Sequence, residues 1–514
     1  MAPDHSDRES TTWIKKVQYV VSLTLLGLCV ALCTAGIVAN QTPVAAASNS
    51  AVALVLMWVL ILWLGILEGG QGSLVGLQPV NSEKFKFSHP YAFACTELAH
   101  KGDNLNRFIV GRQFLVVLVV FLLNMACTVV DDFDVPGVPH ALMSSMVASG
   151  LAVMIITVVV GQLAAEVNAT NCMLDFIDNR LVWVTTLICL MIETSGLLHS
   201  VYLVQCFFSN ESMSKESTDK TFQQKVWYWG RVAMSVSLLT VAMAVTCAAL
   251  WHDETTMYPG LTTMASFALF FGLVCFLGLL EGIQIAAFAV VKLPTHIVRA
   301  SPAAGANCDL VFRGKNFKAV LIGRQICVTT SMFLLARITT TNVDPNDLID
   351  TSATDSTVLG MPACIQNFFN TGLPGALITT VVASLWWRIL AAAFPIAFMG
   401  NSVVYWTIRL CLCLEATGVF SSAWLMADGI KWMLRFQTDD VYFSDGDKDI
   451  DLELNKYGVD DSQTLLSVST GKNDSESTFL TSSSSNGNFS TYGSNSSQEF
   501  DTFSNPSPSP SLEF

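Results

Sequence analysis

The chain has 514 residues, of which 52% are hydrophobic and 13% are charged, and its formal net charge is −14. Soluble domains carry about 25% charged residues, whereas a helix surrounded by lipid loses free energy for every charge that it keeps. The composition therefore excludes an ordinary soluble enzyme and predicts that a bilayer surrounds most of the chain.

Ten apolar segments follow one another along the chain, each close to the roughly 20 residues that cross the hydrocarbon core. Lipid offers no partners to backbone N–H and C=O groups, so we expect every segment to be a helix. The chain is thus predicted to be an all-α integral membrane protein with about ten transmembrane helices. These cover residues 17–38, 51–77, 107–130, 140–164, 181–208, 226–251, 260–291, 317–337, 371–399 and 401–433.

The C-terminal region differs from the rest because it is polar and acidic. From Thr438 onward it has 14 acidic residues and 3 lysines, which is −11 of the net charge. Such a segment cannot bury enough apolar surface to offset its ordering entropy, so we expect disorder. Asp461–Leu466 has the pattern of an acidic dileucine signal, which predicts sorting adaptors as partners. No basic tract indicates nucleic-acid binding.

Three polar motifs each occur twice, in the same order along the chain. The members of the first pair are 213 residues apart and those of the second pair 212. The repetition predicts two repeats of five helices each. The pairs are Glu68-Gly-Gly-Gln71 with Glu281-Gly-Ile-Gln284, Gly111-Arg112-Gln113 with Gly323-Arg324-Gln325, and, more weakly, Glu193-Thr-Ser-Gly196 with Glu415-Ala-Thr-Gly418.

The repeat defines the predicted organisation of the chain. A cytoplasmic N-terminal segment (1–16) precedes the first repeat (17–208), a connecting loop (209–225) and the second repeat (226–433). A disordered, acidic, Ser-rich cytoplasmic tail (434–514) completes it.

An odd number of helices per repeat makes the two halves enter the membrane in opposite directions, as in alternating-access transporters. Lys15, Lys16 and Lys84 support cytoplasmic termini by the positive-inside rule. Arg299 and Arg313 contradict that rule in the second half, so its absolute orientation stays open.

The doubled motifs have the chemistry of a solute site. Glu and Gln three residues apart share one face of a helix, and together they accept and donate hydrogen bonds. Arginine adds a fixed fork of donors. An Arg112–Glu68 or Arg324–Glu281 pair would neutralise both charges inside the membrane. Glu193 and Glu415 are predicted either to bind a cation or to pair with an arginine.

The sequence lacks the motifs that are typical of several other functional classes. The sequence contains no Gly-x-x-x-x-Gly-Lys-[Ser/Thr] loop, no His-x-x-x-His spacing and no Gly-x-Ser-x-Gly elbow. We therefore predict that the chain is not an enzyme and has no cofactor, and that an ion gradient or the solute's own gradient drives transport.

Two Glu-Gly-x-Gln and two Gly-Arg-Gln motifs in ten predicted helices resemble the silicon (silicic acid) transporters of diatoms, over roughly residues 15–435. Cys172-Met-Leu-Asp175 matches a further signature of that family. The resemblance implies sodium-coupled uptake of orthosilicic acid across the plasma membrane, or a silicon-related membrane, for cell-wall formation, with sodium ligands unknown. It assigns solute binding to Glu68, Gln71, Arg112, Gln113, Glu281, Gln284, Arg324 and Gln325.

The sequence departs from the family in its tail, where no heptads indicate the coiled coil that family members often have. Two alternative functions stay open. One is a carrier or channel for another small neutral hydroxylated solute, such as boric or arsenious acid. The other is a membrane receptor or scaffold.

Overall fold

The computed structural model of the chain describes most of the membrane region. It covers residues 5–127, 146–147, 149–208, 222–252, 255, 262–291, 293–314, 316–340, 372–439 and 442, with backbone alone at 5–12, 205–208 and 295. The described residues form helices and no strand. The predicted connecting loop lies largely outside these residues. So do most of the predicted tail and the dileucine pattern.

The described residues contain eight helical segments long and apolar enough to cross a membrane, which confirms the all-α integral membrane class. We number the spans in the order of the predicted ten. The eight are the first (His5–Val38), second (Ser50–Gly76), third (Asn104–Cys127), fourth (Leu151–Asn171), sixth (Phe222–Trp251), seventh (Thr263–Val291), eighth (Asn316–Thr339) and ninth (Leu373–Ala393).

The fourth and ninth spans share an unusual local structure. Each follows a glycine, Gly150 or Gly372, whose backbone is left-handed with φ of 77° and ψ of 6°. Each then contains one π-helical stretch, Thr157–Leu163 or Thr379–Leu385. Wide π turns of this kind disturb the regular helix and are frequent at functional sites.

The predicted fifth and tenth helices, 181–208 and 401–433, are not continuous, and this corrects the sequence prediction. The fifth span consists of Arg180–Thr194 and Val201–Phe208. The tenth consists of Ser402–Ala416 and Ser422–Leu434. The glycines of the third repeated motif cause the breaks, because Gly196 has φ +88° and Gly418 φ +68°. Glycine adopts this left-handed conformation without steric cost and so ends a helix.

The first span crosses the break in the tenth. Gln18 Nε2 donates to Ala416 O at 3.1 Å. The hydroxyl of Ser22 lies 2.5 Å from Val419 O and 2.7 Å from the Ser422 hydroxyl. Carbonyl groups at a helix end need partners from elsewhere, and here a helix of the other half of the chain supplies them.

The sixth span crosses the break in the fifth in the same way. Arg231 Nη1 donates to Thr194 O at 2.9 Å. The hydroxyl of Ser235 lies 2.6 Å from Leu197 O and 2.9 Å from the Ser200 hydroxyl. Each half of the chain therefore completes the broken helix of the other half.

Short helices connect the second span to the third and the seventh to the eighth. Pro90–Ala99 and Pro302–Val311 precede the third and eighth spans. In each connection an asparagine side chain bonds the last turn of the short helix. These bonds run from Asn104 Nδ2 to Leu98 O, 2.9 Å, and from Asn316 Nδ2 to Leu310 O, 3.0 Å.

Candidate functional site

The glycines of the Gly-Arg-Gln motifs allow two helices to come unusually close. A Cβ at Gly111 would lie 2.0 Å from the carbonyl oxygen of Cys189 in the fifth span. A Cβ at Gly323 would lie 2.0 Å from the carbonyl oxygen of Cys411 in the tenth. No other residue fits such an approach, so each motif arginine is held against a broken span.

The glycines of the Glu-Gly-x-Gln motifs each accommodate an aromatic ring. A Cβ at Gly69 would lie 2.2 Å from the ring of Phe176, and one at Gly282 would lie 2.3 Å from the ring of Phe398. Both rings come from the short segment that follows the fourth or the ninth span. The ring thereby fixes the helix turn that carries Glu68 or Glu281.

In the first half, the arginine and the carboxylate motif bind one another directly. Arg112 Nε donates to Leu67 O at 3.0 Å. Its Nη1 donates to Gln71 Oε1, and its Nη2 forms an ion pair with Glu68 Oε2. The Arg112 side chain is only 6% exposed, so the pair is removed from solvent. In this half of the candidate site, the motif residues therefore form hydrogen bonds with one another.

In the second half, the same residue types are more loosely arranged. Arg324 Nη1 lies 3.6 Å from Glu281 Oε2, beyond hydrogen-bond distance. Its Nη2 donates to Gln325 Oε1 at 2.9 Å. Arg324 Nε and Nη1 are buried without a hydrogen-bond partner among the described residues. Two donors in this half are therefore available to a bound molecule.

Two residues that the sequence analysis missed link the halves. Gln162, in the π turn of the fourth span, donates from Nε2 to Glu68 Oε1 at 3.4 Å. The Thr329 hydroxyl of the eighth span donates to Gln162 Oε1. It also lies 3.0 Å from Gln325 O. The sequence did contain a signal for Gln162, because it is a polar residue inside an apolar span. The motifs of both halves thus meet at one place in the bundle.

Arg388 contributes a third guanidinium to the region where the motifs of both halves meet. Its Nη1 lies 3.4 Å from Gln113 Oε1, and the residue is only 7% exposed. It is attracted electrostatically by Glu281 and Glu68 and repelled by Arg112 and Arg324. Arg388 belongs to no repeated motif, and the structure places it among the motif residues.

Glu166 adds a third carboxylate. It interacts electrostatically with Glu68, Arg324 and Arg112, and it is exposed although it lies within the fourth span. The cluster therefore has three acidic and three basic side chains. Its charged members are Glu68, Glu166, Glu281, Arg112, Arg324 and Arg388.

Glu193 and Glu415, at equivalent positions in the two halves, have different surroundings. Glu193 pairs with Arg107, whose Nε lies 2.6 Å from Oε2, and accepts from the Tyr202 hydroxyl at 3.1 Å. In the second half the position equivalent to Arg107 is Ala319. The Glu415 carboxylate has no hydrogen bond or ion pair with any described residue, and it lines a cavity of about 40 Å³ beside Gly418.

A model of the silicon transporter family matches residues 10–502, which is nearly the whole chain. No curated protein and no solved structure matches the chain.

Proposed function

The chain belongs to the silicon transporter family, and from that premise we propose that it carries orthosilicic acid across the membrane by sodium-coupled alternating access. The observation that supports this best is the cluster of three acidic and three basic side chains, most of them buried, in which residues of both copies of the doubled motifs meet. A polar cluster inside a membrane bundle is costly and marks a solute or ion pathway.

Silicic acid is a small neutral molecule with four hydroxyl groups, so hydrogen bonds must recognise it. Arg324 Nε and Nη1 are buried donors without a hydrogen-bond partner among the described residues, and leaving a buried donor unbonded costs about 1–3 kcal/mol. A solute oxygen would relieve that cost, while carboxylates and amides would accept the solute's hydroxyl protons. We propose this role for the motif residues Glu68, Gln71, Arg112, Gln113, Glu281, Gln284, Arg324 and Gln325.

The difference between the halves supports alternating access. In the Arg112 half the arginine is held by hydrogen bonds within that half, whereas in the Arg324 half two buried arginine nitrogens have no hydrogen-bond partner among the described residues. In an inverted repeat, exchanging these two arrangements would expose the solute first to one side of the membrane and then to the other. In this proposal the protein lies in the plasma membrane with both termini in the cytoplasm.

Glu415 is our candidate for a sodium ligand. Broken spans present carbonyl oxygens that can coordinate sodium together with a carboxylate. Glu193 is already neutralised by Arg107, whereas Glu415 faces a cavity at the break beside Gly418. The ion would take the place that the Arg107 guanidinium has in the first half.

Uptake of radiolabelled germanate or silicate into proteoliposomes, with and without an inward sodium gradient, tests this proposal. We expect saturable uptake that the gradient stimulates. Glu415→Gln should lose most of the stimulation, and Glu193→Gln, the matched variant of the other half, should keep it. Uptake that is indifferent to sodium would contradict symport. An absence of uptake would contradict silicic acid transport altogether.

A further inference from the structure

The chain beyond the tenth span returns to the turn between the fourth and fifth spans. We call residues 436–439 with Tyr442 the C-terminal strap. The carboxylate of Asp439 accepts from the backbone N–H groups of Met173 at 2.7 Å and Leu174 at 3.1 Å. Asp439 is only 7% exposed. It therefore caps the first turn of the short helix Met173–Ile177, whose N–H groups have no partner within the helix.

Asp175, in the Cys172-Met-Leu-Asp175 signature, holds the strap from the other side. Its Oδ2 accepts from the backbone N–H of Gln437 at 2.6 Å, and its Oδ1 accepts from the Tyr442 hydroxyl at 3.3 Å. His89 Nε2 lies 3.0 Å from the same Oδ1. Hydrogen bonds to a carboxylate are about twice as strong as neutral ones, so Asp175 and Asp439 together fix the strap on this turn.

Phe176 connects the strap to the solute motif. Its ring packs edge-on against the ring of Phe436 in the strap, with 6.2 Å between ring centroids. The tip of the same ring fills the space above Gly69, next to Glu68. A continuous series of contacts thus runs from the strap to the carboxylate that binds Arg112.

The second half of the chain shows which part of this arrangement both halves share. Phe398 packs on Gly282 as Phe176 packs on Gly69. The residue before Phe398 is Ala397, where the first half has Asp175. The ring is therefore common to both halves, whereas the carboxylate occurs only in the half that the strap reaches.

We propose that Asp175 and the strap are positioning residues for the Glu68 half of the site, acting through Phe176 on Gly69. The inference rests on the proposed function in one respect, that Glu68 belongs to the solute site. When the strap is released, the turn loses its cap, Phe176 is less firmly held, and the Glu68 motif is less well placed for Arg112 and for solute.

Hydrogen–deuterium exchange of the full chain in nanodiscs tests the proposal without any solute. In Asp439→Ala we expect faster exchange in residues 172–178 and in residues 67–72 of the second span. Asp439→Asn keeps one acceptor oxygen, so its exchange rates in these residues should lie between those of Asp439→Ala and the wild type. Gln437→Ala is the matched control, because its side chain is exposed and only its backbone N–H bonds Asp175.

Uptake kinetics give the second readout. In Asp439→Ala the half-saturating solute concentration should rise by about fivefold, a typical size for coupling between sites, while the maximal rate stays near that of wild type. Faster exchange confined to residues 172–178, or spread uniformly over all helices in both Asp439 variants, would overturn the proposal. A different result would separate the two proposals. If Asp439→Ala shows the predicted exchange pattern but the wild type transports no silicic acid, the proposed function is refuted and the strap proposal stands.

Discussion

Arg112 and Arg324 occupy equivalent positions, yet their bonding differs. Arg112 is bound by Leu67 O, Gln71 and Glu68, whereas two nitrogens of Arg324 have no hydrogen-bond partner in the described part of the chain. Arg112 is thus fully bonded by protein groups, whereas we propose that the two buried nitrogens of Arg324 bind the solute. In the alternating access that we propose, the halves exchange these arrangements, and each arginine should serve both purposes in turn.

This asymmetry predicts different outcomes for the same substitution. Arg112→Ala breaks a buried pair and leaves Glu68 uncompensated, which typically costs about 3–5 kcal/mol. Arg324→Ala should cost less stability, because its contact with Glu281 is already long at 3.6 Å. Both variants should still abolish uptake. Thermal unfolding in detergent measures the loss of stability, and uptake after reconstitution of the same preparations into proteoliposomes measures the loss of transport. Equal losses of stability in the two variants would contradict the asymmetry.

At this scale the sequence identified the motif residues through their repetition, and the structure brings most of them together. Gln162, Thr329 and Glu166 were missed because none belongs to a repeated motif. Their role follows from which helix faces which, and a single sequence does not contain that information. The pairing of Glu193 with Arg107 was one of two predicted alternatives.

At the scale of elements, the fifth and tenth spans differ most from the sequence prediction. Hydropathy predicted each as one continuous helix because apolar residues continue across the break. The deciding feature is the backbone of Gly196 and Gly418, whose positive φ ends the first helix of each span. The eight continuous spans were predictable from composition alone, since each is a long apolar segment.

Alanine at the break should therefore destabilise the protein. A left-handed backbone with a Cβ costs about 1–2 kcal/mol, and the Cβ of Gly418→Ala would also meet the side chain of Gln18 at 2.6 Å. Gly272→Ala is the matched control, because it lies inside the seventh span with nothing within 4 Å of its Cβ. There alanine should stabilise the helix by about 0.5–1 kcal/mol. Thermal unfolding of both variants checks this, and equal effects would refute the account of the break.

At the scale of the whole molecule, the two halves are interlocked. The first span completes the tenth through Ser22, and the sixth completes the fifth through Ser235. The cluster draws carboxylates and guanidiniums from both halves, three of each kind. The neutral solute that we propose would enter such a site without adding a charge to be compensated. The orientation of each half across the membrane stays a prediction from the sequence.

The central claim is that both copies of the motifs form one solute site. Equilibrium binding of radiolabelled germanate to the purified chain in nanodiscs tests it most directly. We expect one solute bound per chain, with Glu68→Gln and Arg324→Ala each weakening that same binding event. Two solutes per chain, with each variant removing only one of them, would contradict the claim.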